Sequence, residues 1–143
     1  MALPNGSGGY QLGDGNTGEI LFVAQPTPTS IAAGNATLTA AQLATKILLG
    51  SPGTSAAAYT LPTAALMDAA FPSMPNNSSF DFTVINVDGS SSGVITMTAT
   101  AGTGWTIGTS GSQGLMTVAA TAGTSISFRA RKTGDATWAL YRL

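Results

Sequence analysis

Side chains able to move a proton are few in this 143-residue sequence: six carboxylates (Asp14, Glu19, Asp68, Asp81, Asp88 and Asp135), three Tyr, two Lys and many hydroxyls, with no His and no Cys. That inventory excludes Ser-His-Asp and Cys-His nucleophilic sites, imidazole or thiolate metal centres, and disulfides. Acid–base catalysis would need a carboxylate pair, for which Asp81 and Asp88, on either side of Phe82–Val87, are the candidates. Gly13-Asp14-Gly15-Asn16-Thr17-Gly18 spells G-x-G-x-x-G, but a dinucleotide turn requires a strand before it and a helix after it. Here a Gly-rich stretch precedes and a strand pattern follows, so no nucleotide is expected. Neither Lys46 nor Lys132 follows the glycines of a phosphate loop. Asp88-Gly89 opens like a calcium loop, yet Ser follows and no Glu closes it, which makes it a turn. The expectation is a protein that binds or builds, with no catalytic residue, metal or cofactor.

Charge is sparse and unevenly placed. Only 8% of residues are charged, and polarity comes instead from 35 Ser and Thr. Such a surface repels its neighbours weakly and favours association. Arg129, Arg131, Lys132 and Arg142, four of the five cations, fall in the last 15 residues and give residues 125–143 a local charge of +3. Arg129 and Arg131, two apart, share one face of a strand, opposite Ile126, Phe128 and Ala130. Four cations with no helix to enter a groove and no run of stacking aromatics do not make a nucleic-acid site. They read as the solvated outer face of a terminal hairpin, a guarded edge, or a docking handle for an acidic protein partner.

The elements that must position these residues are mostly strands. Ala57–Leu61, Ser79–Val87, Val94–Ala99, Gly104–Ile107, Leu115–Ala119, Ser125–Arg131 and Thr137–Arg142 are short apolar or alternating runs separated by Gly-rich turns. Glu19–Ala24 fits a further buried strand. Thr39 suits an N-cap, with Leu43 and Ile47 on one face and Gly50 as the stop, so a helix is predicted from Thr39 to Leu49. A second is predicted from Thr63 to Phe71. Residues 1–18, with six of the 18 Gly, cannot pack a core of their own and read as an extended arm, either a disordered tail or a segment that orders against a partner with Tyr10 and Leu12 as anchors. The fold class is mainly β: a β-sandwich or jelly-roll-like barrel with one or two short helices, an arm over 1–18 and one domain over 19–143. Because 23 of the apolar residues are Ala, the core is thin, and Met67, Phe71 and Met74 are candidates for an oligomer interface. No apolar run is long enough to span a membrane and Met1–Asn5 does not begin a secretory signal, so synthesis in the cytoplasm is expected.

Four segments carry a family resemblance: Leu38–Leu43, Tyr59–Ala64 continuing to Met67, Ser79–Asn86, and Arg129–Gly134 continuing through Trp138–Tyr141. Together, over roughly residues 36–143, they resemble small structural proteins of tailed-bacteriophage virions, capsid decoration (cement) and head-fibre-like proteins in particular. The resemblance implies a mostly β domain, commonly a homotrimer, on the outer surface of the head, clamping neighbouring subunits of the major capsid protein. Tyr10, Leu12, Arg129, Arg131, Lys132 and Arg142 are then the candidate capsid-binding residues. The alternative is a carbohydrate- or host-binding module of a phage fibre or capsid exterior, with Tyr59, Trp105, Trp138 and Tyr141 as candidates for stacking on sugar rings.

Overall fold

From Ser79 to Asn86 the chain sets Phe80, Phe82 and Val84 on one side and Asp81 and Thr83 on the other, the period of a strand with one face in a core. The computed structural model describes residues 24–88, 93–108 and 115–143. In chain order they form β1 (Thr29–Ile31), β2 (Ala36–Thr37), α1 (Ala40–Ala44), β3 (Ile47–Gly50), β4 (Ala57–Thr60), α2 (Ala64–Ala70) and β5 (Ser79–Asn86). β6 (Ile95–Thr98), β7 (Trp105–Ile107), β8 (Thr117–Val118), β9 (Ser125–Gly134) and β10 (Thr137–Arg142) follow. One sheet has six strands in the order β1-β3-β5-β9-β10-β7, the other four in the order β2-β4-β6-β8. The fold is therefore mainly β, in two sheets with two short helices.

From β1 to β6 the chain passes from one sheet to the other at each strand. Neighbours within a sheet are then reached by a crossover and come out parallel, as in β1-β3-β5 and β2-β4-β6. Among the described residues only β9 and β10 are consecutive and paired, through the turn at Asp135 and Ala136, which is the terminal hairpin expected from the sequence. The long β9 also pairs antiparallel with β5, from Ser79 opposite Arg131 to Ile85 opposite Ser125. This places β9 in the interior of the larger sheet, so its arginines do not guard an edge.

Both sheets and both helices contribute to one buried cluster. Its centre is aromatic: Phe82 stacks on Phe128 with ring centroids 5.7 Å apart, and Trp138 lies 6.2 Å from Phe80 and 5.8 Å from Trp105. Each fully buried large side chain contributes about 1.5–3 kcal/mol, so a few aromatics offset a composition rich in Ala. A polar latch also joins the sheets. Asn86, fully buried at the end of β5, donates through Nδ2 to the carbonyls of Gly93 (2.8 Å) and Ala119 (2.9 Å), while its Oδ1 accepts from the Asp88 amide (3.0 Å). Gly93 leads into β6 and Ala119 follows β8, so one side chain of the larger sheet holds two segments of the smaller.

The helix predicted from Thr39 to Leu49 is corrected. Thr39 does cap α1, in a reciprocal box with Gln42, but α1 ends at Ala44. Lys46 turns the chain with φ 64°, and Ile47–Gly50 forms β3 between β1 and β5. An apolar Ile-Leu-Leu run fits either element, and pairing on both sides overrides its helical preference. Gly50 is thus a strand residue. A Cβ there would lie 2.6 Å from Ile95 Cδ1 and 2.8 Å from the Tyr59 hydroxyl. The second helix agrees with expectation: Thr63 caps α2 through the Leu66 amide, with Ala64 and Met67 on its buried face. The arm over 1–18, its anchors Tyr10 and Leu12, the G-x-G-x-x-G stretch and all but the last residue of the strand expected over Glu19–Ala24 lie outside the described residues.

Candidate functional site

The C-terminal cations divide between the two faces of the larger sheet. Arg129 lies directly opposite Asp81 across β5 and β9, and the two form a bidentate pair at 2.7 and 2.8 Å on the exposed face. That fork holds the Asp81 carboxyl below its usual range and raises the guanidinium. Arg131, on the same face, donates to the Asn77 side-chain carbonyl, and Arg142 to the Leu115 carbonyl at 3.2 Å. Arg129 and Arg131 therefore stand where the alternation of β9 predicts, each held by a neighbour.

Lys132 is a correction. It follows Phe128 and Ala130 onto the core face of β9, its residue is 7% exposed, and its ammonium sits 3.2 Å from Asp68 Oδ1. It is not part of an exposed basic patch. Asp68, on α2, also accepts from the Trp138 indole at 2.8 Å and from the Ala136 amide at 2.7 Å. Burial raises the Asp68 pKa, but the Ala136, Trp138 and Lys132 donors together outweigh it and hold the carboxyl below its ordinary value. The cluster ties α2 to the β9–β10 turn. The signal was in the sequence: the parity that puts Arg129 and Arg131 outside puts Lys132 inside.

The three residues proposed for an oligomer interface also separate. Met67 is fully buried beneath α2 and offers nothing to a partner, because its position faces the core one turn before Phe71. Phe71 and Met74 are half-buried and, with Phe80, line a groove of about 340 Å³ walled at one end by Ala44 and Lys46. The Phe71 and Phe80 rings lie 5.5 Å apart. A second groove, of about 430 Å³, opens where the ends of β2 and β4 meet the starts of α1 and α2. Six threonines, among them Thr39, Thr60, Thr63 and Thr103, line it with apolar residues that include Leu61 and the exposed Leu66. Hydroxyls and aliphatic groups bind by hydrogen bonding and contact rather than by proton transfer.

The remaining candidates resolve individually. Tyr59 and Trp138 are fully buried and offer no face to a sugar, whereas Trp105, whose indole donates to the Pro62 carbonyl at 2.6 Å, and Tyr141 are half-buried. Burial also raises the Tyr59 phenol above its usual pKa, against a smaller lowering effect from the Ser51 backbone. Asp88 accepts from the Gly53 amide at 2.8 Å. Seven residues along an extended chain separate it from Asp81 by about 20 Å, beyond the ~5–10 Å of a working carboxylate pair. Among the described residues no cluster of metal-ligating side chains occurs, and no helix is long and apolar enough to cross a membrane. Comparisons with protein-family models, with curated proteins and with solved structures each found no match.

Proposed function

We propose that this chain is a non-enzymatic structural protein of a tailed-phage virion, a decoration or cement protein that binds the outer surface of the major capsid shell and stabilises the head. The observation that carries the reading is how the ionisable groups are used. Asp68 holds Lys132, Asp81 holds Arg129 and Asp88 holds the Gly53 amide, so three of the four carboxylate side chains among the described residues are already paired within the fold. What faces outward at the grooves is threonine, leucine and half-buried aromatic surface, suited to being covered by another protein. The family resemblance of residues 36–143 supplies the class of partner. Many identical copies, each bridging capsid subunits, would add small contact energies into a large mechanical effect.

The test is binding to undecorated heads of the phage that encodes the chain. Full-length protein is expected to cosediment with expanded heads to a saturating occupancy and to raise the temperature at which they release their DNA. Absence of binding, or recovery of the protein in the tail fraction of dissociated virions, overturns the reading.

A further inference from the structure

Of the cations among the described residues, Lys46 alone has a side chain without a partner there. Arg129 holds Asp81, Arg131 the Asn77 side chain, Lys132 holds Asp68 and Arg142 the Leu115 carbonyl. Lys46 is exposed at the end of the groove walled by Phe71, Met74 and Phe80, and no other charged residue lines that groove. Its backbone is fixed from both sides: the Lys46 amide donates to the Leu43 carbonyl at 3.0 Å, and the Lys46 carbonyl accepts from the Thr83 amide at 2.8 Å. Between those bonds the residue is held at φ 64°, a conformation that Gly adopts freely and that disfavours any residue with a Cβ. A lysine stands there against its backbone preference, and it sets one positive charge beside apolar surface.

The groove is also elongated. Lys46 meets β5 at Thr83, and the lining runs back along that strand to Phe80 and Ser79, about 13 Å from Thr83. Its volume of about 340 Å³ lies near the lower end of the roughly 300–1,000 Å³ of small-ligand sites, which are mostly apolar with a few placed polar groups. One charge at one end and an apolar trough beyond it complement a slender molecule with the opposite charge at one end.

We propose that this groove binds a free medium-chain carboxylate, with its carboxylate on the Lys46 ammonium and its alkyl chain over Phe71, Met74 and Phe80. Burial of the chain supplies affinity, and the ion pair decides which end lies at Lys46. A carboxylate suits a single ammonium, because a doubly charged phosphate would leave a charge uncompensated against the aromatic wall. The threonine-lined groove is left for a protein partner, so the inference goes beyond the virion reading and stands or falls separately.

Full-length protein labelled at its Met methyls is titrated with decanoate, kept below the concentration at which it forms micelles. The Met74 methyl is expected to shift saturably while those of Met97 and Met116 stay in place. Decyltrimethylammonium, with the same chain and the opposite charge, should bind about tenfold more weakly, and Lys46→Gln should weaken decanoate by a similar factor. Lys46→Gly should lose binding likewise while its urea midpoint stays at or above that of the unsubstituted chain, since the left-handed backbone then carries no Cβ. An unmoved Met74 signal, equal binding of the cationic chain, or undiminished binding by Lys46→Gln overturns the proposal. So does a Lys46→Gly midpoint that falls, which assigns the lysine to the fold, or a Met74 signal that moves with protein concentration alone, which assigns the groove to a second copy.

Discussion

At the scale of single residues, the fold depends on a few polar groups set among apolar ones. Asp68 accepts three donors, and its partner Lys132 has a side chain only 9% exposed. Asp68→Asn leaves that ammonium without its counter-charge, and a loss of about 2–3 kcal/mol is expected in urea unfolding at pH 7. Because the folded-state pKa of Asp68 lies below its ordinary value of 3.8, the carboxylate's contribution is complete above that value. It is lost as pH falls through the folded pKa. The wild-type midpoint should thus fall between pH 5 and pH 2.5 by more than that of Asp68→Asn. Asp81 is a useful contrast. Its pair with Arg129 is nearly half exposed on both sides, so Asp81→Ala should leave the urea midpoint almost unchanged despite the bidentate geometry. Asn86 is buried with all three of its side-chain bonds made. Asn86→Ala strands two carbonyls and an amide and should cost about 2–4 kcal/mol.

At the scale of elements, β3 shows what the chain's pattern discloses and what it conceals. Gly50 in β3 lies against the Tyr59 ring and Ile95, closer than a Cβ permits. Gly50→Ala must push the two sheets apart or displace Tyr59, so a loss of about 1–3 kcal/mol is expected, with the near-ultraviolet circular dichroism of the tyrosines changed. Nothing in Leu48-Leu49-Gly50-Ser51-Pro52 separates such a strand glycine from a helix stop, since both follow an apolar run and precede a proline. β4 through β10 were legible because alternation or β-branched runs mark them, and α2 because Thr63 follows Pro62 and caps an apolar face. β1 and β2, of three and two residues, are too short to show any period, and parallel partners are set by crossovers that leave no local trace. The same limit applies to the candidate site. Arg129 opposite Asp81 follows strand parity, but their pairing across 48 residues, like that of Lys132 with Asp68, is decided by which strands adjoin. The groove under Phe71, Met74 and Phe80 is likewise assembled from α1, α2 and β5.

At the scale of the whole molecule, the described residues bury a small aromatic core between two sheets, and Arg129 and Lys132 are tied to carboxylates within the fold. On the proposed function, such a domain would attach to the shell through many weak contacts or through an added segment. On that reading, residues 1–18 supply the segment: six of them are Gly, and Tyr10 and Leu12 are the contacts that the sequence suggests. Such an arm would add a second point of attachment, and the second event gains from the first because the tether holds it near its target. Deleting residues 1–18 should therefore weaken attachment to undecorated heads by tenfold or more, while urea unfolding of the domain shifts by less than about 1 kcal/mol, the range of surface changes that leave a core intact. Tyr10→Ser combined with Leu12→Ser should reproduce most of the loss, because the backbone of the arm stays and only its apolar contacts go. Truncated protein that decorates heads at full occupancy and undiminished affinity would assign attachment to the faces of the domain itself. Of those faces, the threonine-lined groove with Leu66 at its rim is the first to substitute, with Leu66→Asp as the variant expected to abolish binding in that case.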